Sequence, residues 1–331
     1  MPPTIPYVEN KDGAERQIGL EIEFAGLELD EAAQIIHNLY GGETQKVNRY
    51  HFRVTDTELG TFEVELDARI LKKMAGSDFF PNLGIEVDER KIRNSISEVL
   101  DKLAKTVVPL EIVMPPVPFD KLDELDPLRS ELQKQKAEGT ESSLIHAFGL
   151  HMNVEVPAIE PGILLGYLRA FFILYPWLLD RLQIDFSRRL SPFIDHFPGA
   201  YVRKVLDPGY DPGLERLMED YINYSPTRNR PLDMMPIWAL VDEQKTGEVL
   251  GGEKNRPRPT FHYRLPNSRI DDPEWTFRLE WERWLAVERL AADDEMVRKL
   301  SRLYLLRENE TYVSFWKEWA RTVEILLDLD A

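Results

Sequence analysis

Five stretches of the chain alternate apolar and polar residues with a period of two. In IGLEIEF, Ile18, Leu20, Ile22 and Phe24 fall on one side, and Gly19, Glu21 and Glu23 on the other. TFEVELD sets Phe62, Val64 and Leu66 against Glu63, Glu65 and Asp67. VPLEIVM sets Leu110, Ile112 and Met114 against Pro109, Glu111 and Val113. GLHMNVEV sets Leu150, Met152, Val154 and Val156 against His151, Asn153 and Glu155, and TFHYRL sets Phe261, Tyr263 and Leu265 against His262 and Arg264. Each pattern predicts a strand with one buried face. Half-polar strands favour an antiparallel sheet with one wet side over a parallel sheet covered on both.

Helical spacing fills the gaps between them. It predicts helices over Asp30 to Tyr40, ended by Gly41-Gly42, over residues 88–106, and over Leu122 to Ala137. Gly162 to Gln183 is apolar nearly all round and therefore expected to be covered on most sides. Glu280 to Leu303 and Glu308 to Leu327 read as two long closing helices, and DPGYDPG, Asp207 to Gly213, as a turn. No repeat, low-complexity tract or linker divides the chain. The expectation is one α+β domain with a C-terminal helical part. Residues 1–285 form its main body, with an insertion around residues 67–106, and residues 286–331 form a helical extension.

Composition narrows the function classes. The 331 residues are 43% hydrophobic, enough for a large core. A net charge of −17 argues against nucleic acid and against an anionic membrane surface as partners. The absence of cysteine excludes disulfides, zinc–thiolate sites and thiol catalysis. MPPTIPYVENKDGAER lacks the apolar core of a signal peptide. The most apolar run, Pro161 to Leu182, is interrupted by Arg169 and Pro176 and reads as a buried helix rather than a membrane span. A soluble, cytoplasmic protein is expected; oligomeric state is not legible.

The polar positions carry the chemistry. If the strands share one sheet, its uncovered side gathers Glu21, Glu23, Glu111, His151, Asn153, Glu155 and Arg264. Crowded carboxylates repel one another unless a cation lies between them. An oxygen-rich set with few histidines suits Mg²⁺ or Mn²⁺ better than Zn²⁺. Taken singly, each residue reads more simply as a solvated strand face, a hydrogen-bonded histidine or a surface arginine; only the set points to a site. GGEKNRPRP, Gly251 to Pro259, reads as an exposed loop before it reads as a phosphate-covering one, and Trp275 and the WERW run as packing. Nucleotide-binding glycine loops, H-E-x-x-H and G-x-S-x-G are absent.

In order along the chain these motifs resemble the amidoligase family, within the superfamily of glutamine synthetase-like and glutamate–cysteine ligase-like carboxylate–amine ligases. GLEIEF matches its G-x-E-x-E strand at Gly19, Glu21 and Glu23; YHFRVTD supplies its aspartate as Asp56; VPLEIVMPP matches a G-x-E-L-x-S-P-P strand at Glu111, Pro115 and Pro116. LHMN, with His151 and Asn153, matches an L-H-x-N strand, TRNRPLDMMPIW an arginine-bearing loop, and TFHYR a T-x-E-x-R strand at Thr260 and Arg264. The chain departs from the family where His262 replaces a glutamate and where Thr57 and Glu58, with no serine, follow Asp56.

The resemblance implies a glutamine synthetase-like curved antiparallel sheet, helices packed on one face, and ATP with Mg²⁺ (or Mn²⁺) on the other. It implies metal ligation by Glu21, Glu23, Asp56, Glu111 and His151. Arg228, Arg230, Arg264 and His151 would contact ATP phosphates, and Arg264, Glu23 and His262 would form the catalytic set. The implied activity joins a carboxylate to an amine, each from an amino acid, peptide or protein, through an acyl phosphate. The alternative is an inactive relative that binds a peptide or protein, which the histidine at position 262 favours. A metal-dependent hydrolase on the same carboxylates is a further reading.

Overall fold

The computed structural model describes residues 5–66, 109–139, 148–182, 195–251, 255–307 and 312–329. The insertion around residues 67–106, with the helix expected over 88–106, lies outside them. The described residues form a single open antiparallel sheet of nine strands and ten α-helices.

The chain opens with β1 (Gln17–Phe24), α1 (Leu29–Tyr40), β2 (Glu43–Asn48), β3 (His51–Thr57) and β4 (Gly60–Leu66). Next come β5 (Leu110–Val113), β6 (Val117–Pro118), a 3₁₀ turn (Phe119–Leu125), α2 (Asp126–Lys134) and β7 (Leu150–Glu155). Helices α3 (Pro161–Arg181), α4 (Gly199–Leu206) and α5 (Leu214–Tyr224) lead to β8 (Leu232–Asp233). Then follow α6 (Met235–Val241), α7 (Glu243–Val249), β9 (Thr260–Tyr263), α8 (Phe277–Ala291), α9 (Asp294–Arg307) and α10 (Tyr312–Leu327). The strand order is β2-β3-β4-β5-β1-β7-β9-β8, with β6 pairing to β1. Every pairing is antiparallel, as the alternation predicts.

The helices that cover the sheet lie on the side of Ile18, Leu20 and Ile22, all essentially without solvent exposure. Beneath β7 and β9, Tyr167 of α3 packs on Phe261 with ring centroids 4.8 Å apart, and Trp284 of α8 on Tyr263 at 5.0 Å. Beneath β3 and β4, Tyr40 at the end of α1 stacks on Phe62 at 5.2 Å. Each such side chain contributes roughly 1.5–3 kcal/mol by leaving water. Helix α1 starts at a capping box between Glu28 and Glu31 and stops at Gly41, whose φ of 71° a residue with a Cβ adopts only under strain. Helix α3 is the one described helix long and apolar enough to cross a membrane. Most of it, 83% of its most apolar window, is buried against the sheet and α8–α10, so it is a core helix.

Two expectations need correction, and one strand was not expected. The helix expected over Glu280 to Leu303 is two, α8 and α9. Asp293 ends the first and caps the second, its Oδ1 accepting the Met296 N–H at 2.9 Å. The apolar period runs through the break because both helices pack on α3. The helix expected over Leu122 to Ala137 begins as the 3₁₀ turn and becomes α-helical only at Asp126-Pro127. Strand β2 escapes sequence reading because all six of its residues are exposed; backbone pairing to β3 alone makes it a strand.

Candidate functional site

Directly opposed residues of antiparallel strands point to the same face. Three cross-strand rows therefore build the polar side. Glu65, Glu111 and Glu23 lie in register across β4, β5 and β1. Glu63, Val113, Glu21 and His151 follow across β4, β5, β1 and β7. Gly19, Asn153, His262 and Asp233 complete it across β1, β7, β9 and β8. Opposed like charges ordinarily destabilise a sheet. Here Glu23 and Glu111 are opposed and also buried, 5% and 2% exposed.

Specific contacts hold these side chains in place. Glu23 Oε2 accepts the Gly149 backbone N–H at 2.8 Å. His151 sits between the two acids of β1, with Nδ1 3.3 Å from Glu21 Oε2 and Nε2 3.8 Å from Glu23 Oε1. A Cβ on residue 149 would fall 2.8 Å from His151 Nε2, so only glycine leaves room for that ring. Glu21 Oε1 accepts the Asn153 amide at 2.9 Å, and Asn153 Oδ1 accepts Arg258 Nη2 at 2.7 Å. His262 turns Nε2 toward Glu21 Oε2 at 3.6 Å and Nδ1 toward Asp233 Oδ2 at 3.4 Å. Asp233 also accepts Arg228 Nε at 3.2 Å, and Arg264 donates to the Arg228 carbonyl at 2.8 Å.

The electrostatics follow from burial and these contacts. Burial drives the His151 imidazole down to about 3, against the pull of Glu21 and helped by the positive charge of Arg264; the ring is neutral at pH 7 and keeps a lone pair. Burial opposes ionisation of Glu21, but the two imidazoles beside it, His151 first and then His262, outweigh it and hold the carboxyl well below its usual range. Burial also opposes ionisation of Asp233, and His262 and Arg228 outweigh it in the same direction.

Two sets of donor atoms converge within 4.8 Å of one another: Glu23, Glu111 and His151, and Glu21, His151 and His262. Buried carboxylates, a neutral imidazole and a buried His262 Nε2 with no hydrogen-bond partner make a donor set that fits a divalent cation.

The sequence-selected residues divide. Glu21, Glu23, Glu111, His151 and His262 come together, with Arg228 and Arg264 beside them at the β8–β9 end. Asp56 stands exposed in a bulge of β3, with φ 57°, outside both sets. Arg230 donates to the Asp195 carbonyl at 3.2 Å and to the His196 carbonyl, clamping a loop rather than facing the acids. Glu155 accepts from Asn10 and the Gln17 backbone at the edge of the cluster.

Sequence reading missed Arg258, Asp233 and Gly149. Arg258 carried a signal: 258, 260 and 262 continue the period of β9 backward, onto the face of His262. Asp233, in a two-residue strand, carried none.

A family model described as putative amidoligase enzyme matches residues 14–286 of this chain. No curated protein and no solved structure matches it.

Proposed function

Because the chain belongs to the amidoligase family, we propose that it is an ATP- and Mg²⁺-dependent ligase joining a carboxylate to an amine through an acyl phosphate. The convergence of Glu23, Glu111 and His151 within 4.8 Å on the polar face of the sheet carries this reading. The resemblance to glutamine synthetase-like ligases makes that face the concave floor of an ATP site.

Amide formation from a free carboxylate in water is uphill, so the carboxylate oxygen must first become a leaving group. Phosphoryl transfer does this, and it needs positioning and charge neutralisation more than covalent help. Mg²⁺, held by Glu23 and Glu111, would neutralise phosphate charge there. Arg264 and Arg228, anchored to each other at the β8–β9 end, place fixed positive charge beside the carboxylates, where a planar fork suits phosphate oxygens. Arg258 takes the place that the resemblance gave to Arg230, because its guanidinium reaches Asn153 and, through it, Glu21. The buried network from Asn153 to Glu21 to His151 fixes the carboxylates before substrate arrives. The substrates are amino acids, peptides or proteins carrying the carboxylate and the amine.

Glu23→Gln should lower ATP turnover by about 10²–10³ while the protein stays folded. If Mg²⁺ and ATP neither bind the wild type nor raise its melting temperature, the ligase reading fails. One observation favours a second reading, an inactive relative that binds peptides or proteins: His262 occupies the position of a family acid and is held by Asp233. Mg–ATP binding without turnover across a panel of amines would select it.

A further inference from the structure

His262 and Glu21 face each other as two acceptors. The Asp233 carboxylate, 0% exposed, lies 3.4 Å from His262 Nδ1. Of the two ring nitrogens only Nδ1 makes a hydrogen bond, to a carboxylate that can only accept, which assigns the proton to Nδ1 and the lone pair to Nε2. It points at Glu21 Oε2, 3.6 Å away, and makes no hydrogen bond. His151 Nδ1 lies 3.3 Å from the same oxygen. The two imidazoles meet edge to face, centroids 5.1 Å apart at 87°, so both rings converge on the Glu21 carboxylate. A buried lone pair opposite a carboxylate is repulsive unless a cation lies between them.

From this geometry we infer that Glu21, His151 and His262 form a site for a divalent transition ion of the Zn²⁺ or Co²⁺ type, with Asp233 orienting His262 from behind. Two nitrogens and one carboxylate oxygen are a borderline donor set that Mg²⁺ takes poorly and such ions take well. Spacing agrees. A tetrahedral ion with bonds of about 2.0–2.1 Å sets its ligand atoms about 3.3–3.4 Å apart, whereas octahedral Mg²⁺ with similar bonds sets adjacent ones about 2.9–3.0 Å apart. The two separations to Glu21 Oε2, 3.3 and 3.6 Å, lie closer to the first than to the second. Three protein ligands leave a fourth position for water or substrate.

His151 belongs to both donor sets, and a neutral imidazole has one lone pair. With Nδ1 on the transition ion, Glu23 and Glu111 are left to hold Mg²⁺. Where the resemblance expects an acid, His262 thus turns one hard position of the proposed ligase site into a softer one. The inference shares residues with the ligase reading but does not need it, and the test separates them.

The probe is Co²⁺, titrated without ATP into chelator-stripped full-length protein in millimolar Mg²⁺. The expected result is the strong visible absorption of four-coordinate Co²⁺, saturating at one equivalent and erased by one equivalent of Zn²⁺. His262→Gln should abolish the bands with an unchanged circular dichroism spectrum. Should that variant misfold, Asp233→Asn, which keeps all three ligands, should weaken Co²⁺ binding by about 10–100-fold. Absent bands in the wild type, bands that persist in folded His262→Gln, or unchanged affinity in Asp233→Asn would each overturn the inference. Bands without ATP turnover leave the metal site standing and remove the ligase reading; Mg²⁺-driven turnover without bands does the reverse.

Discussion

Two buried polar clusters lie on opposite sides of the sheet. On the helix side, Arg16 and Glu288 are both fully buried and joined by two bonds, of 2.9 and 3.0 Å. Arg16 spends its other donors on the Tyr7 and Glu155 carbonyls, and Glu288 also accepts from Trp284 Nε1 and the Tyr167 hydroxyl. The Phe119 ring lies 4.9 Å from the guanidinium. Charge balances and donors match acceptors. On the polar side, Glu21, Glu23 and Glu111 face two histidines, one of them with its Nε2 lone pair unpartnered. The first cluster is complete as it stands and ties the N-terminal segment, β7, α3 and α8 together. The second leaves the His262 Nε2 lone pair over. Buried polar groups alone therefore do not mark a functional site; a buried lone pair without a partner among acids does.

Breaking each cluster should have opposite consequences. Arg16→Met leaves the Glu288 carboxylate buried without its cation and should destabilise the fold by about 3–5 kcal/mol, measured by urea unfolding. Replacing both partners with apolar residues should recover most of that loss, and activity per folded molecule should not change. Glu23→Gln should instead leave stability in chelator intact or slightly raised, since it removes a repelling charge. It should lower ATP turnover by about 10²–10³, or roughly 3–4 kcal/mol of transition-state stabilisation. Equal unfolding midpoints for Arg16→Met and wild type would erase the distinction between the clusters.

Two smaller effects sharpen it. Mg²⁺ at a hundred times its dissociation constant should stabilise the wild type by about 2.7 kcal/mol and Glu23→Gln by far less, read as a shift in melting temperature. In chelator, stability should fall with acid. The folded His151 has a pKa of about 3 against 6.5 for the free side chain, so the unfolded chain takes up a proton that the folded one refuses. The His151 contribution is therefore present above pH 6.5 and lost below it, about 2 kcal/mol between pH 7 and pH 5. His151→Gln should flatten that slope; an unchanged slope would assign the acid sensitivity elsewhere.

Legibility in the sequence followed the burial of one strand face. Ile18 to Phe24, Phe62 to Leu66 and Leu150 to Val156 announce strands because one side of each is apolar. Strand β2 does not, because neither side is. Helices α8 and α9 read as one because the apolar stripe crosses the cap at Asp293. Among the site residues, Glu21, Glu23, Glu111, His151 and His262 were legible by type and position on predicted strands. Asp56 was legible by motif but stands in an exposed bulge, and Arg230 by motif but holds a loop. Arg258 was half legible, two steps before His262; Asp233 and Gly149 were not, because their importance lies in what they touch.

Alternation, residue type and motif order are local properties, and they suffice for the half-polar strands, the acid-rich face and the family. Which acids and histidines meet is set by the folding of the chain. That choice rests on strand order and register, which join Glu111 to Glu23 across 88 residues and His262 to Asp233 across 29. A shift of one residue in any of those pairings would send the same side chains to opposite faces of the sheet.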